Sequence, residues 1–334
     1  MSQRITVIGD GGMGTVCAIM LAENGHAVRL WSAFEEQARE LRAARINKKF
    51  LPEKRLPDGV EVISGGLGVF DGAEWILSAV PTQFVRSVWG GLKQVCPAKT
   101  PICSVTKGIE NDTLQRPSEI LVDVLGGASR SMAVLSGPSI APEIARELPA
   151  TVTVASSDKH FARRVQECIS RPYFRVYTNP DVVGVELAGA TKNVIAIAAG
   201  VLDGMGAGVN AKAALLTRGL VEISRLGLAA GAQAETFAGL SGLGDLVTTC
   251  FSPVGRNRTF GQAVGAGKSV EAALAEAHGV VEGVATTRSV SALAKKLGVS
   301  MPLTQAVYDV IIEGKDRHDA IAALMARPLR SEME

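Results

Sequence analysis

Aromatic side chains are scarce in this sequence of 334 residues, at 4% of the total. A surface that stacks the bases of single-stranded nucleic acid needs such side chains, so their scarcity argues against that function. An excess of charge of one sign is also lacking, because 35 Lys and Arg residues stand against 33 Asp and Glu residues. We therefore expect no nucleic-acid partner and no recruitment to an anionic membrane.

Cysteine is rare, and the few cysteines show no C-x-x-C spacing. They are Cys17, Cys96, Cys103, Cys168 and Cys250. This scatter predicts neither a zinc site nor a disulfide framework, so we expect no metal. The apolar run 5–8 near the first residue is too short for the core of a signal peptide, and we expect a cytoplasmic protein.

A long hydrophobic run free of polar residues is missing as well. The most apolar stretch, 182–202, carries Glu186, Lys192 and Asn193 near its middle. Such side chains are costly inside a bilayer, so this stretch predicts a buried helix and no stable insertion into a membrane.

Short β-branched runs alternate with helical patterns over residues 1–180. The predicted strands are 5–8, 27–30, 60–63, 75–80, 101–105, 132–135, 151–155 and 175–177. This rhythm is typical of an α/β, Rossmann-type fold, in which a mostly parallel sheet is covered on both faces and ligands collect at the carboxyl ends of the strands. We expect residues 1–180 to form a dinucleotide-binding domain.

Residues 181–334 have a different, Ala- and Gly-rich character without strand signals. The predicted helices are 181–202, 211–231, 256–267, 269–277, 284–297 and 303–313. We expect a second, all-helical domain that carries substrate and catalytic groups. No flexible linker separates the two segments, so we expect them to pack tightly.

A G-x-G-x-x-G motif follows the first predicted strand directly, at Gly9, Gly11 and Gly14. In such a strand-turn-helix unit, the first glycine allows the turn and the second lets the main chain approach a pyrophosphate. The third lets helix and strand pack closely, and the free N–H groups of the helix face the ligand. The motif predicts binding of NAD or NADP.

The choice between NAD and NADP depends on the residues after the second strand, where an acid would bind the ribose 2′-hydroxyl of NAD. Ser32 and Ala33 stand there, and neither is acidic or basic. Because Ser32 could accept either ribose, we expect both cofactors to be used with modest discrimination.

Ten blocks, in one order along nearly the whole chain, resemble the bacterial-type NAD(P)-dependent glycerol-3-phosphate dehydrogenases. They are 47–52 (NKKFLP), 79–83 (AVPTQ), 106–110 (TKGIE), 135–143 (LSGPSIAPE), 184–186 (GVE), 192–194 (KNV), 210–215 (NAKAAL), 239–246 (GLSGLGDL), 256–258 (RNR) and 280–283 (VVEG). The resemblance implies reversible reduction of dihydroxyacetone phosphate to sn-glycerol 3-phosphate by NAD(P)H, which supplies glycerophospholipid synthesis.

Reduction of a ketone requires a proton donor for the oxygen that becomes an alkoxide. The four histidines lie in polar or turn-like segments and are expected at the surface: His26, His160, His278 and His318. Lys192 is the better donor because its helix is otherwise apolar, and the resemblance assigns the catalytic role to it.

The resemblance also implies the remaining contacts. Substrate is expected at Lys107, Gly137, Ser139, Lys192, Asp245, Gly255, Arg256 and Asn257. The cofactor is expected at Gly9, Gly11, Gly12, Met13, Gly14, Ser32, Lys107, Ala141, Arg256, Val280 and Glu282. Three positions depart from the family pattern: Met13 replaces an aromatic residue, Glu53 a glycine and Gly255 a serine. Gly255 can therefore offer only its main-chain N–H to a phosphate.

Two alternatives remain open from the sequence. Dehydrogenases of the β-hydroxyacid type, such as those of 3-hydroxyisobutyrate or 6-phosphogluconate, also combine a Rossmann domain with a helical domain and use Lys with Asn. A nicotinamide-binding redox sensor without turnover is the other alternative, but it would not need Lys107, Lys192 and Asp245. Assembly as a homodimer is also left open.

Overall fold

The computed structural model describes residues 2–127, 130–277, 279–329 and 331–332. Its strands are β1 (Arg4–Ile8), β2 (Ala27–Ser32), β3 (Ile46–Asn47), β4 (Leu51–Arg55), β5 (Val60–Ser64), β6 (Trp75–Ser78), β7 (Ile102–Ser104), β8 (Met132–Ser136), β9 (Ala150–Ala155) and β10 (Phe174–Asn179). The helices among and directly after them are α1 (Gly12–Glu23), α2 (Glu35–Ala44), α3 (Thr82–Leu92), α4 (Pro117–Leu125), α5 (Ala141–Ala145), α6 (Lys159–Ile169) and α7 (Val182–Gly204).

Helices continue along the second part of the chain as far as Met325. They are α8 (Gly208–Ala229), α9 (Ala234–Ala238), a π-helical turn (Leu240–Gly244), α10 (Asp245–Phe251), α11 (Arg256–Gly265), α12 (Val270–Ala275), α13 (Glu282–Leu297), α14 (Pro302–Ile311) and α15 (Arg317–Met325).

An eight-stranded sheet organises the first part of the chain, with the strand order β10-β9-β8-β7-β6-β1-β2-β5. Its neighbouring strands are parallel except for the antiparallel pair β8 and β9. All the predicted strands lie in this sheet, so the predicted α/β, mostly parallel fold is confirmed. The small antiparallel hairpin of β3 and β4 was not predicted, because its sequence is polar and lacks alternation.

Alternate residues of a strand supply two hydrophobic cores, one on each face of the sheet. Ile5 and Val7 of β1 pack with residues of α1 and α6, whereas Ile8 packs with residues of α3 and α4. Both faces are therefore covered by helices. The carboxyl edge of the strands is left as the place where polar side chains can gather.

The long helix α7 is the centre of the helical part. It is long and apolar enough to cross a membrane, but 83% of its most apolar window is buried inside the protein. This observation confirms the predicted buried helix. Glycines allow α11 to approach α7 closely: a Cβ atom on Gly261 would stand 2.2 Å from the carbonyl oxygen of Ile197.

The six helices predicted after residue 180 are present, with ends that differ by a few residues. The helices α9, α10 and α15 and the π-helical turn were missed. The first two and the turn lie in or beside the glycine-rich segment 239–244, where propensity disfavours helix. Tertiary packing holds this segment, since a Cβ atom on Gly242 would stand 2.0 Å from the carbonyl oxygen of Phe237.

Glu186 links α7 to the start of α4 through hydrogen bonds. Its buried carboxylate accepts hydrogen bonds from the Ser118 main-chain N–H at 2.8 Å, from the Ser118 hydroxyl at 2.6 Å and from the Arg116 guanidinium at 2.5 Å. Burial raises the pKa of Glu186, and Arg116 and Ser118 oppose that rise. The start of α4 and the second turn of α7 are thus held together by one carboxylate.

We predict that Glu186→Ala destabilises the protein by about 3 kcal/mol, because the partly buried Arg116 guanidinium and the buried Ser118 N–H group would lose this acceptor. Denaturant unfolding followed by circular dichroism measures this free energy. Glu119→Ala is the matched control: Glu119 also pairs with Arg116 and accepts from its main-chain N–H at 2.8 Å, but it is 44% exposed, so its loss should cost only about 1 kcal/mol. Equal losses for the two variants would contradict a special role for Glu186.

Candidate active site

Polar groups from both parts of the chain meet at the carboxyl edge of the sheet. Lys107 follows β7, and Gly137 and Ser139 follow β8. Lys192 extends from the middle of α7, and Asp245 is the first residue of α10. The structure brings all five of these sequence-predicted residues into one connected cluster.

Asp245 is the centre of this cluster and is 2% exposed. Its Oδ1 atom lies 2.8 Å from the Lys192 Nζ atom, and its Oδ2 atom lies 2.6 Å from the Lys107 Nζ atom. Burial opposes ionisation of this carboxyl, but the Lys107 and Lys192 ammonium groups outweigh burial and lower its pKa. A single carboxylate therefore carries two cations.

Lys107 is held by three acceptors. Besides Asp245, its ammonium donates to the Gly137 carbonyl oxygen at 3.1 Å and to the Ser139 hydroxyl at 3.3 Å. Burial lowers the pKa of Lys107 to about 8; the Asp245 carboxylate opposes this shift and the Lys192 charge adds to it. Lys107 is therefore a fixed cation that loses its proton more readily than an ordinary lysine.

Thr249 belongs to the cluster and was not predicted from the sequence. Its hydroxyl accepts a hydrogen bond from the Lys192 ammonium and lies 3.4 Å from Asp245 Oδ1, to which it donates. Residues four apart share a helix face, and Thr249 follows Asp245 by four positions on α10. That spacing was the only signal in the sequence, and it became meaningful only once α10 was known to be a helix.

The backbone conformation and close packing at Gly137 favour glycine over every other residue. Its φ angle of +133° lies in the region that favours glycine, and a Cβ atom there would stand 3.0 Å from the Val152 Cα atom. The turn lets the Gly137 carbonyl oxygen accept from both Lys107 and the Ser139 hydroxyl, the latter at 2.9 Å.

The N-terminus of α11 presents the second predicted group of residues. Gly255 precedes the helix in an extended conformation, and the first-turn N–H groups of Arg256 and Asn257 have no partner within the helix. Arg256 is exposed and donates to the Val280 carbonyl oxygen at 2.9 Å. The Asn257 Oδ1 atom accepts from the Gly283 N–H at 3.0 Å, which leaves the amide NH₂ end to donate to a ligand.

Glu282 connects the two groups electrostatically. It begins α13, and its carboxylate interacts with the Thr82 main-chain N–H and with the charges of Arg256, Lys192 and Lys107. Burial raises the pKa of Glu282, and these cations oppose the rise. The structure thus places Glu282 and Val280 beside Arg256 at the N-terminus of α11; that they bind the cofactor stays a prediction.

The glycine-rich turn has the geometry that a dinucleotide requires. The φ angle of Gly9 is +107°, and a Cβ atom on Gly14 would stand 1.9 Å from the Gly9 carbonyl oxygen. By contrast, a Cβ atom on Gly11 would have no heavy atom within 4 Å. The first and third glycines are therefore required by packing, whereas the second faces open space that a pyrophosphate could occupy.

The other residues predicted to bind the cofactor differ in how far they are buried. Gly12 begins α1 and faces Ala141, whose Cβ atom would lie 3.6 Å from a Cβ on Gly12, and Met13 packs partly buried against the core. Ser32 is fully buried, and its hydroxyl bonds to the main chain of Phe34. The structure therefore does not bring Ser32 to an open surface.

The described histidines lie outside the Asp245 cluster. His26 bonds to the Gln3 main-chain N–H, and His160 and His318 are exposed in the first turns of α6 and α15. His278 lies outside the described residues. Within the part of the chain that the structure describes, no group of three or more His, Cys, Asp or Glu side chains could hold a metal ion, and the cysteines are free.

Comparison with family models and curated proteins gives a consistent match over the chain. The model for the N-terminus of NAD-dependent glycerol-3-phosphate dehydrogenase matches residues 4–162, and the model for its C-terminus matches residues 181–322. A glycerol-3-phosphate dehydrogenase [NAD(P)+] of Geobacillus kaustophilus is 47% identical over 333 residues, which are 99% of this chain and 97% of the relative.

Solved structures agree with this match. A glycerol-3-phosphate dehydrogenase from Coxiella burnetii is 39% identical, with a TM-score of 0.94 over 98% of this chain and 99% of that one. A D-mandelate dehydrogenase with NADH shows the fold alone, with 14% identity and a TM-score of 0.64 over 97% of this chain and 100% of that one.

We predict that Gly11→Val abolishes measurable binding of NADH and NADPH while the protein stays folded. The added side chain finds open space in the free protein but would occupy the approach to the pyrophosphate. Isothermal titration calorimetry measures the affinity. Gly90→Val in α3, where a Cβ atom also meets nothing within 4 Å, is the matched control and should bind normally. Unchanged affinity in folded Gly11→Val would refute the assignment of this turn.

Proposed function

The chain belongs to the NAD-dependent glycerol-3-phosphate dehydrogenase family, and from that premise we propose how its own residues carry out the reaction. It is an NAD(P)-dependent oxidoreductase that reduces dihydroxyacetone phosphate to sn-glycerol 3-phosphate, reversibly. The observation that carries the proposal is the pair of ammonium groups, Lys107 and Lys192, on the Asp245 carboxylate beside the N-terminus of α11.

NAD(P)H, when bound, supplies the hydride that reduces the ketone carbon. The protein must then hold the dinucleotide, provide a proton for the ketone oxygen and bind a phosphate dianion. The open face of Gly11 and the N-terminus of α1 fit the first task, because they offer space and N–H groups to a pyrophosphate.

Lys192 gives the proton in this proposal and takes it back in the reverse reaction. Its side chain is 7% exposed, and its ammonium has two neighbours, Asp245 and Thr249, which fix its direction. Lys107, in contrast, is bound by three acceptors and acts as a fixed cation that polarises the ketone oxygen. Both lysines contact substrate, and Lys107 contacts the cofactor as well.

Asp245 makes this arrangement possible. Two ammonium groups in one buried cleft repel each other. The Asp245 carboxylate lies between them, bonded to both, and offsets that repulsion. Gly137 and Ser139 complete the wall of the substrate site through their contacts to Lys107.

The phosphate of the substrate binds at the N-terminus of α11. Free N–H groups and the helix dipole favour an anion there, and Arg256 and Asn257 add side-chain donors. Gly255 contributes its main-chain N–H. Glu282 and Val280, which adjoin Arg256, face the dinucleotide in this proposal, together with Gly12, Met13 and Ala141.

Several wider expectations accompany this function. Residues 1–180 form the dinucleotide-binding domain and residues 181–334 the helical catalytic domain. The protein acts on small molecules in the cytoplasm, and its product feeds glycerophospholipid synthesis. These statements, and the homodimer left open above, stay predictions that fractionation and sedimentation measurements can test.

The alternatives drawn from the sequence lose support. The likeness to D-mandelate dehydrogenase is one of fold, whereas the family match covers both parts of the chain. A sensor without turnover would have no use for a buried lysine pair on one aspartate. Direct assay of dihydroxyacetone phosphate beside a β-hydroxyacid, with NADH and NADPH, tests the function itself.

We predict that Lys192→Met lowers kcat by about 100-fold or more while NADH binding survives, because the variant keeps the side-chain volume and loses the proton. Stopped-flow absorbance with dihydroxyacetone phosphate measures turnover, and calorimetry measures binding. Lys212→Met is the matched control: Lys212 is also a buried, ion-paired lysine but its partner is Asp203, so its kcat should stay within about threefold. Near-normal turnover in folded Lys192→Met would move the donor role to Lys107.

We also predict that Arg256→Ala raises the KM for dihydroxyacetone phosphate by about 10- to 100-fold, the effect of losing a charge-assisted hydrogen bond. The KM for unphosphorylated dihydroxyacetone, a poor substrate, should change much less. Steady-state assays with both ketones make the comparison, and Arg288→Ala, at an exposed position of α13, serves as control. Equal losses for both ketones would rule out direct phosphate binding by Arg256.

A further inference from the structure

We propose that Asp10, inside the glycine-rich turn, reads the adenosine ribose of the dinucleotide and makes the enzyme prefer NADH to NADPH. The inference rests on the proposed function, since it concerns the cofactor of that reaction. It differs from the expectation drawn from Ser32 and Ala33, which was modest discrimination.

The inference about cofactor preference depends on where the Asp10 carboxylate lies, between the end of β2 and α2. Its carboxylate interacts with the Ser32 hydroxyl at the end of β2, and its Oδ2 atom accepts from the Gln37 Nε2 atom of α2 at 2.6 Å. In a Rossmann fold, the adenosine ribose lies between the glycine-rich turn and the end of the second strand, where an acid binds its hydroxyl groups. No acid directly follows Ser32, the last residue of β2, but the glycine-rich turn supplies one, Asp10, that contacts Ser32.

The turn holds Asp10 firmly in this position. Its carbonyl oxygen accepts from the Asn47 Nδ2 atom at 2.7 Å and from the Thr15 hydroxyl at 3.2 Å. The residue keeps 8% of its surface exposed. An ionised carboxylate has about four acceptor positions. Ser32, Gln37 and the main-chain N–H of Asp10 occupy some of these positions, and the remainder is available to a ribose hydroxyl.

The charges around Asp10 disfavour a 2′-phosphate. Within the described residues, Asp10 forms no ion pair, and the first turn of α2 adds the acidic residue Glu36 beside Glu35, which is paired with Arg42. Lys49 is the cation that acts on Asp10, but it is exposed and its ammonium lies over the Phe50 ring. A phosphate dianion placed beside this buried carboxylate would meet a like charge without a dedicated basic partner.

The test compares kcat/KM for NADH and NADPH in the unmodified enzyme, in Asp10→Asn and in Asp58→Asn. We expect the unmodified enzyme to favour NADH at least 100-fold. Asp10→Asn should narrow this ratio at least tenfold, mainly by improving NADPH, since the amide keeps the shape and removes the charge. Asp58 is an exposed acid before β5, so Asp58→Asn should leave the ratio unchanged. A ratio below tenfold in the unmodified enzyme, or an equal ratio in Asp10→Asn, would overturn the proposal.

A second measurement needs neither a variant nor turnover. Calorimetry of the unmodified protein with 5′-AMP and with 2′,5′-ADP compares the two ribose forms directly. We expect 5′-AMP to bind at least tenfold more tightly; equal affinity, or tighter binding of 2′,5′-ADP, would refute the role of Asp10. Because no ketone is present, this result separates an error about Asp10 from an error about the substrate.

Discussion

One buried carboxylate that carries two ammonium groups is the constraint on which the arrangement of this protein depends. Asp245 binds Lys107 and Lys192 through its two oxygens, and all three groups are largely shielded from water. Removing two like charges from water is costly unless an anion lies between them. Lys107 comes from the edge of the sheet, and Lys192 and Asp245 come from helices of the second half. The ion pairs can therefore form only where the two halves of the chain pack against each other.

The packing of the helices around this cluster brings Lys107, Lys192 and Asp245 together. The helix α7 is buried along most of its length, so Lys192 leaves it toward the cleft with a desolvated stem. Glu186 on the same helix accepts hydrogen bonds from Ser118 at the start of α4. These bonds hold α7 in a defined position against the sheet-containing half of the chain. Gly261 lets α11 lie directly on α7, and the N-terminus of α11 thereby reaches the edge of the same cleft. Small residues and one buried acid thus set the distance between Lys192 and the N-terminus of α11.

The charges at the carboxyl edge of the sheet differ between its strands. Asp10 places a carboxylate near the end of β2, whereas Lys107, Lys192 and Arg256 place cations near Asp245 and Glu282. In the proposed reaction, the uncharged ribose hydroxyls meet the acidic end and the phosphorylated ketone meets the basic end. This distribution would orient both molecules by charge before closer contacts form.

The sequence by itself determined the sheet, most of the helices and the glycine-rich turn, because strand alternation, helical periodicity and the glycine spacing are local patterns. It also carried a family resemblance strong enough to name the reaction, which the comparisons support. Only the tertiary structure decided the rest. It joined Lys107 to Asp245 across 138 positions, brought Thr249 to Lys192, buried Ser32 and set Asp10 beside it. These contacts depend on how strands and helices pack, and no pattern within a short stretch of sequence records which distant side chains will share one cleft.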